Sequence, residues 1–559
     1  MQKISYFLPF FVALFIFITL SWSLFSKQGF PEGHDIYAHT TYGKLFYQAL
    51  EEGQFPVRWT EWVKEGHSQP LFNFYQVGFY YFLSTIHFII PSFILSIKIS
   101  LFILWLTGSL FTYLFMKKFG TLPATIAVLV YSFSPYLFLD IYIRSAFPEF
   151  MVITLMPGLF WSLDRLLTRG RLVYLPFLSF FTGFAIISHL PAFIIFTPLI
   201  VGYILLLFLK KETGLWKIVQ AGAGGLLGIG LASFYLLPAI FELNLINIEL
   251  LKSTYFDFHQ HFVDINSLIA YFWGYAGPWK QSENKISYII ISAQWTLLTM
   301  SSLTLISSKK LTYLKPYLFF SIIGLIYILF FSQKLSTVVW EKLFFLQFIQ
   351  FPWRFFMVIP FISALLSGVL LSTVSNMRRR IIIILFLIIT ILIIYPLYLI
   401  PAKTISLDFF DLSYRQWKNH PLTQKEAYIE PGYNPKGVIV QPENLNKKWQ
   451  SEANVILQEA TSHSLLLQIF SLNNTTIVIH TYYFPGWRAW IGNQEVPITP
   501  TKNNNFIKIN LPKGSYDLQI KFTDTPIRGF SNLVSLVSIF ILSLLLVTTL
   551  HRNLVKKLF

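Results

Sequence analysis

Apolar runs of about twenty residues follow one another along most of this chain, separated by short polar loops, and the pattern changes near residue 401. A run of that length matches the roughly 30 Å hydrocarbon layer of a bilayer. Twelve spans are placed on this basis, at 6–25, 94–116, 121–139, 149–167, 172–188, 191–209, 218–240, 288–307, 312–331, 353–374, 381–400 and 531–550. The segment Phe79 to Ile90 is apolar but too short to cross and is stopped by Pro91, so it reads as re-entrant or interfacial. From Pro401 to Gly529 the apolar runs shorten and alternate with polar residues. Ser464–Phe470, Thr475–Tyr483, Phe506–Leu511 and Ser515–Thr523 read as strands, divided by turns rich in Asn, Gly and Pro. The fold class expected is an α-helical polytopic membrane protein with an all-β, sandwich-like domain near its C-terminal end. Its layout is a transmembrane part over 1–400 with a large first outer loop at 26–93, a β-rich part over 401–530, and a last helix with a basic tail over 531–559.

Composition agrees: 54% of the 559 residues are hydrophobic and mean hydropathy is +0.57. No soluble class has that profile. The net charge of +17 does not mark a nucleic-acid-binding surface, because the basic residues fall in clusters between spans. Lys117 and Lys118, then Arg165, Arg169 and Arg171, Lys210, Lys211 and Lys217, Lys309, Lys310 and Lys315, and Arg378 to Arg380 occupy every second loop. The positive-inside rule then puts both termini in the cytoplasm and the long loops and β-domain outside, in a plasma (inner) membrane. The run from Tyr6 to Phe25 is too long for a signal-peptide core and reads as an uncleaved first span. With no cysteine, neither disulfides nor thiolate chemistry is available.

Charged residues make up only 12% of the chain, so their clusters at membrane boundaries are the candidates for chemistry. Pro31-Glu-Gly-His-Asp-Ile-Tyr-Ala-His39 places Asp35 between His34 and His39, with Glu32 three residues upstream. A carboxylate there is suited to act as a general base or to hold a divalent ion. The bland alternative is an acid that caps the following helix, Ile36 to Leu50. His34, His39 and His189 are candidate proton carriers or metal ligands, and His189 stands at a tight turn between two spans. Arg58, Arg144 and Arg354 lie beside spans on the outer side, against the positive-inside trend. They suit a phosphate or pyrophosphate head group. For Arg144 the competing partner is Glu149.

Four stretches carry a resemblance: Gly33-His-Asp-Ile-Tyr-Ala-His39, Gly53-Gln-Phe-Pro-Val-Arg-Trp59, Gln350-Phe-Pro-Trp-Arg354 and Tyr483-Phe-Pro-Gly-Trp-Arg-Ala-Trp490. With about a dozen spans and an acid in the first outer loop, the chain is similar to the GT-C superfamily of membrane glycosyltransferases. More narrowly it resembles the bacterial membrane proteins labelled "6-pyruvoyl-tetrahydropterin synthase-related", which overlap YfhO-like proteins. The label brings no expectation of pterin chemistry. The resemblance implies a transferase of the cell envelope that uses a polyprenyl-phosphate-linked sugar, with Asp35, the acidic residue of the first loop, as the catalytic base. Asp35 lacks the second acid that follows it in some of those enzymes, so no cofactor is assigned and a divalent cation stays a candidate. The partners implied are the polyprenyl-phosphate sugar, membrane lipid and an acceptor that is a glycan, lipid or protein.

The functional expectation is therefore glycosyl transfer at the outer membrane face. The alternatives are a lipid or polysaccharide transporter or flippase and a non-catalytic envelope-assembly protein. Transporters usually carry ionisable groups near the midplane, and here the polar candidates gather at one face.

Overall fold

A computed structural model describes residues 2–61, 68–264, 313–374, 376–394, 404–426, 430–438 and 448–558. The expected span at 288–307, the end of the one at 381–400 and the segment Trp273–Gly277 lie outside the described residues. Among the described residues, eight helical stretches are long and apolar enough to cross a membrane, one of them the broken stretch Thr121–Tyr142, and each meets one of the expected spans. The expected spans 6–25 and 172–188 are met by shorter apolar helices.

The longer helices are α1 (Gln2–Phe25), α2 (Ile36–Glu51), α3 (Gly78–Ile89), α4 (Phe93–Met116), α5 (Thr121–Ser132), α6 (Pro135–Tyr142), α7 (Phe147–Arg169), α8 (Tyr174–Ser188), α9 (Leu190–Leu209), α10 (Leu215–Phe241), α11 (Lys315–Ser332), α12 (Ile359–Thr373), α13 (Met377–Ile394) and α14 (Pro526–Leu558). α4 packs on α7, α7 on α8, α8 on α10, and α10 on α14. Small residues allow the closest approach. A Cβ on Gly228 of α10 would lie 2.8 Å from Ser179 O, and one on Gly183 of α8 would lie 2.9 Å from Gly228 O. Helices in lipid associate through such contacts because lipid tails are as apolar as leucine.

The expected span 121–139 is two helices. Pro135 cannot continue α5, and it holds Ser134 in extended backbone before restarting the chain as α6. The long loop after α1 is built of helices. α2 buries Ile36, His39, Tyr42, Leu45, Phe46 and Ala49, and α3 ends before Pro91 at twelve residues, too few to cross.

The C-terminal strands are β1 (Trp449–Ser451), β2 (Asn454–Ala460), β3 (Ser464–Ser471), β4 (Thr475–Tyr482), β5 (Trp487–Ile491), β6 (Gln494–Val496), β7 (Ile498–Pro500), β8 (Phe506–Leu511) and β9 (Gly514–Phe522). They form two antiparallel sheets, ordered β1-β4-β8-β7 and β2-β3-β9-β5-β6. Alternate residues such as Leu467, Ile469, Ile477, Ile479, Ile507, Ile509, Leu518 and Ile520 fill the core. Five strands beyond the expected four complete the sheets. The stretch after 401 does not begin in the sandwich. Thr404–Ile405 pairs with Phe30–Pro31, and short helical turns follow at Asp408–Asp411 and Tyr414–Lys418. Lys44 Nζ donates to the carbonyls of Phe410 and Leu412 at 3.0 Å, so this piece packs onto the first loop.

The β-domain shares its core with the membrane part. Trp59, Phe74, Ile246 and Ile248 lie in the same apolar cluster as the strands, and Trp59 packs against Trp487 and Phe522. A polar seam runs beside them. Arg528, fully buried at the start of α14, donates from Nε to Glu242 Oε2 at 2.9 Å, just past the end of α10. Asn73 and Thr525 also donate to Glu242, each at 2.7 Å. Arg58 donates to Asn73 and to Asn532 and lies 3.4 Å from Asp524.

Removing one partner of a buried ion pair strands the other, at a cost of about 3–5 kcal/mol. Arg528→Ala should therefore lower the unfolding temperature in detergent markedly. Arg488→Ala removes the exposed pair with Glu495 and should leave that temperature unchanged. Equal effects would remove the seam as the anchor of the β-domain.

Candidate functional site

The site begins where two loops are strapped together. His34 N–H donates to Ile143 O at 2.8 Å, and Asp35 N–H donates to Arg144 O at 3.0 Å. The approach is close because residue 33 is glycine: a Cβ there would fall 1.9 Å from Ser145 Oγ. Ser145 itself turns the chain at φ +56, left-handed backbone that is uncommon outside glycine.

Arg144 lies between α6 and α7 and is buried. Its guanidinium makes a two-pronged contact with Glu149, Nη1 to Oε1 at 2.6 Å and Nη2 to Oε2 at 2.9 Å. Nη1 also reaches Asp140 Oδ1 at 2.5 Å. Tyr136 OH donates to Glu149 Oε1 at 2.6 Å. The group stacks over Trp353 at 4.5 Å. Burial opposes the charge on Arg144, but Glu149 and Asp140 outweigh it and hold the pKa well above its ordinary value. Nη1 and one arm of Nη2 of Arg144 are thus committed inside the protein.

Arg354 is held less fully. Nη1 donates to Ile349 O at 2.8 Å and to Gln350 Oε1 at 3.4 Å. Nε lies 3.3 Å from Glu149 Oε2 without hydrogen-bond geometry, and Nη2 has no partner among the described residues. Gln350, at φ +66, is another residue in left-handed backbone. Two of the four non-glycine residues so strained among the described residues therefore lie near the two arginines, Ser145 beside Arg144 and Gln350 four positions before Arg354.

Asp35 occupies the N-cap of α2, yet its side chain makes no cap bond, which removes the capping role. The carboxylate makes no hydrogen bond or ion pair with any described residue. It is exposed, but protein surrounds it, so it lines a hollow rather than the outer surface. Burial raises its pKa above the usual carboxylate range, and the nearby Arg144 and Arg354 bring it only partly back.

His39 Nδ1 pairs with Tyr80 OH at 2.7 Å, and burial, reinforced by Arg144, lowers its pKa to about 3. Tyr42 and Tyr75 pack edge to face at 4.9 Å, and Tyr75 meets Tyr433 at 5.7 Å, so tyrosines wall the hollow. His189 sits beside Arg354, Glu149, Arg144 and His39. Asp35, Arg144, Glu149, Arg354, His39 and His189 therefore come together from separate segments. His34 and Glu32 stand half-buried in the strapped loop. Arg58 is at the polar seam with Asp524 and Asn532. Among the described residues no three His, Asp or Glu side chains are grouped to hold a metal ion. Asp140, Tyr136 and Gln350 were missed in the sequence. The spacing of Asp140, four residues before Arg144, was a usable signal for an ion pair on one helical turn.

No family model matches the chain. An uncharacterized protein of Lactococcus lactis subsp. cremoris (strain MG1363) is 25% identical over 351 residues, 59% of this chain and 54% of that protein. The chain thus spans about half the length of this relative. Among solved structures, the archaeal oligosaccharyltransferase AglB from Archaeoglobus fulgidus, in complex with an inhibitory peptide and a dolichol-phosphate, aligns over 78% of this chain and 61% of that chain. The TM-score is 0.40 and the sequence identity 14%, a likeness too loose to carry an argument.

The raised pKa of Asp35 has a sign that unfolding can test. Its proton is bound more tightly folded than unfolded, so that stabilisation is present below the unfolded pKa of about 3.8 and is lost as pH rises through the folded value. Asp35→Asn should match the wild-type unfolding temperature near pH 4 and exceed it increasingly toward pH 8. A variant less stable than wild type at pH 8 would contradict a desolvated carboxylate.

Proposed function

We propose that this protein is a membrane glycosyltransferase that uses a polyprenyl-phosphate-linked sugar at the outer membrane face. The observation that supports the reading most is the Asp35 carboxylate: unpaired, facing a hollow within the protein, and close to an arginine with donors to spare. A structural acid is normally bonded to something when protein surrounds it. A base is left open to its substrate.

In the reaction proposed, Asp35 takes the proton of an acceptor hydroxyl. The acceptor oxygen forms a bond to the anomeric carbon as the bond from that carbon to the phosphate oxygen breaks. The electron pair of the broken bond leaves with the polyprenyl phosphate, and the sugar inverts. Arg354 holds the phosphate through its open Nη2 amino group, with the planar guanidinium anchored by Nη1 on Ile349 O, and offsets the charge that grows there. Arg144 holds Glu149 and the loop that carries Asp35. A carboxyl pKa raised by burial suits general base work, since efficiency is best when the pKa approaches the working pH. The segment 430–438, through Tyr433, closes the hollow against Tyr75.

Glycosyl transfer from a polyprenyl-phosphate sugar by the purified protein tests the reading. Asp35→Asn should lower turnover on the order of 10²–10⁴-fold with donor binding retained. Wild-type turnover should fall with acid through a pKa above the ordinary Asp range. Arg354→Lys keeps the charge but loses the planar guanidinium, and should weaken donor binding. Full turnover in Asp35→Asn would sink the mechanism.

Orientation is tested in intact cells. An impermeant thiol reagent should label a cysteine at the exposed Asn474 and spare one at the exposed Arg171. The reverse pattern would put the site on the cytoplasmic face. Ser68, in the first outer loop, is buried and would be a poor probe.

A further inference from the structure

The turn between α8 and α9 carries a histidine whose two ring nitrogens are used differently. His189 Nδ1 accepts the Ala192 N–H at 3.0 Å and so caps the start of α9. A nitrogen that accepts carries no proton, so the neutral ring holds its hydrogen on Nε2. Protonating the ring would aim a proton from Nδ1 at the Ala192 N–H and break the cap. The neutral, Nε2–H form is therefore set by the backbone. The surroundings agree. His189 is 5% exposed, and the groups that face it are Arg354, Glu149, Arg144 and His39. Burial, and after it Arg354, takes its pKa down to about 3.

The cap uses one nitrogen only. Nε2–H makes no hydrogen bond with any described residue, and it is not among the fully enclosed polar atoms without a partner. A ring this buried normally finds partners for both nitrogens. The helix start next to it is held in place by contacts of its own. Val77 N–H donates to Ile187 O at 2.9 Å, and Gly78 lies so close to Ser188 that a Cβ would meet its Oγ at 2.4 Å. The ring therefore has a fixed position and one open donor, at the start of a helix that packs against the turn Pro352–Val358 carrying Arg354.

We infer that His189 is a neutral hydrogen-bond donor to an anionic oxygen of the bound substrate, with Nδ1 committed to the fold and Nε2–H reserved for the ligand. The ligand chemistry is that of a phosphate oxygen, and the inference rests on the reading of the Asp35 hollow as the donor-phosphate site. A neutral donor adds direction without adding charge. It also leaves Arg354 as the cation at the phosphate, and it stays a donor throughout the range in which an ordinary histidine titrates.

The test separates the two nitrogens in the full-length protein, with a polyprenyl monophosphate in detergent micelles as probe. His189→Asn places an amide oxygen where it can cap Ala192 N–H, but it is too short to replace Nε2–H. His189→Gln reaches the Nε2 position with an amide N–H and gives up the cap. The Asn variant should keep the wild-type unfolding temperature and bind the probe roughly tenfold to a hundredfold more weakly, the scale for a hydrogen bond to a charged group. The Gln variant should unfold at lower temperature yet bind within a few-fold of wild type. The ratio of wild-type to Asn affinity should be constant from about pH 5.5 to 8. Wild-type affinity in the Asn variant would overturn the inference and leave the Asp35 reading standing. A ratio that collapses as pH rises through 6 to 7 would overturn it by marking a charged imidazole. Binding lost in both variants in step with stability would assign His189 a structural role alone. If the wild type itself binds no polyprenyl monophosphate, the inference and the reading of the hollow fall together.

Discussion

The buried contact between Arg144 and Glu149 is the interaction on which this end of the helix bundle depends. Two ions enclosed by protein are costly unless they meet in good geometry with their remaining donors and acceptors used. Here the two-pronged contact, Asp140 Oδ1 and Tyr136 meet most of that condition, and Asp140 Oδ2 alone of these carboxylate oxygens has no partner among the described residues. The result is a fixed loop between α6 and α7. The main chain of that loop then serves as the template for another: His34 and Asp35 bond to its carbonyls, and Gly33 lies against Ser145. The position of the Asp35 carboxylate is thus inherited from an ion pair it does not join. This division of labour is common where chemistry is needed, with paired charges for rigidity and an unpaired one for reactivity.

The seam around Glu242 does comparable work for the C-terminal half. One carboxylate collects Arg528, Asn73 and Thr525, and so joins α10, the first loop and the start of α14. Trp59 adds an apolar tie by entering the core of the sandwich. Charge at this seam is compensated on the spot, so Arg58 there has a use unrelated to the hollow.

Much of the architecture was readable from the sequence, because bilayer thickness makes span length a strong signal. The long β-strands were also readable, since one face of each is buried and the residues alternate. What failed to show were features set by distant partners. Trp487–Ile491 looked like part of an aromatic motif and is a strand because Leu518–Phe522 pairs with it. The residues after Thr404 looked like the start of the β-domain, yet Lys44 draws Phe410 and Leu412 to the first loop. At the site, residue type was the readable part: a charge in an apolar chain needs a reason, and Asp35, Arg144, Glu149 and Arg354 stood out for that reason. Which arginine was already committed could not be read, since Arg354 meets Glu149 across 205 positions of sequence and Arg58 meets Asn532 across 474.

The sharing of the sandwich core with Trp59 also concerns biosynthesis. Trp59 leaves the ribosome long before the strands that cover it, Trp487–Ile491 and Gly514–Phe522. Until they arrive, a large apolar side chain and the unpaired charge of Glu242 wait at the membrane surface. α14 then brings Arg528 to Glu242 and Asn532 to Arg58. Closure of this seam is in this sense a quality check on synthesis: a chain without α14 leaves its first loop unsealed.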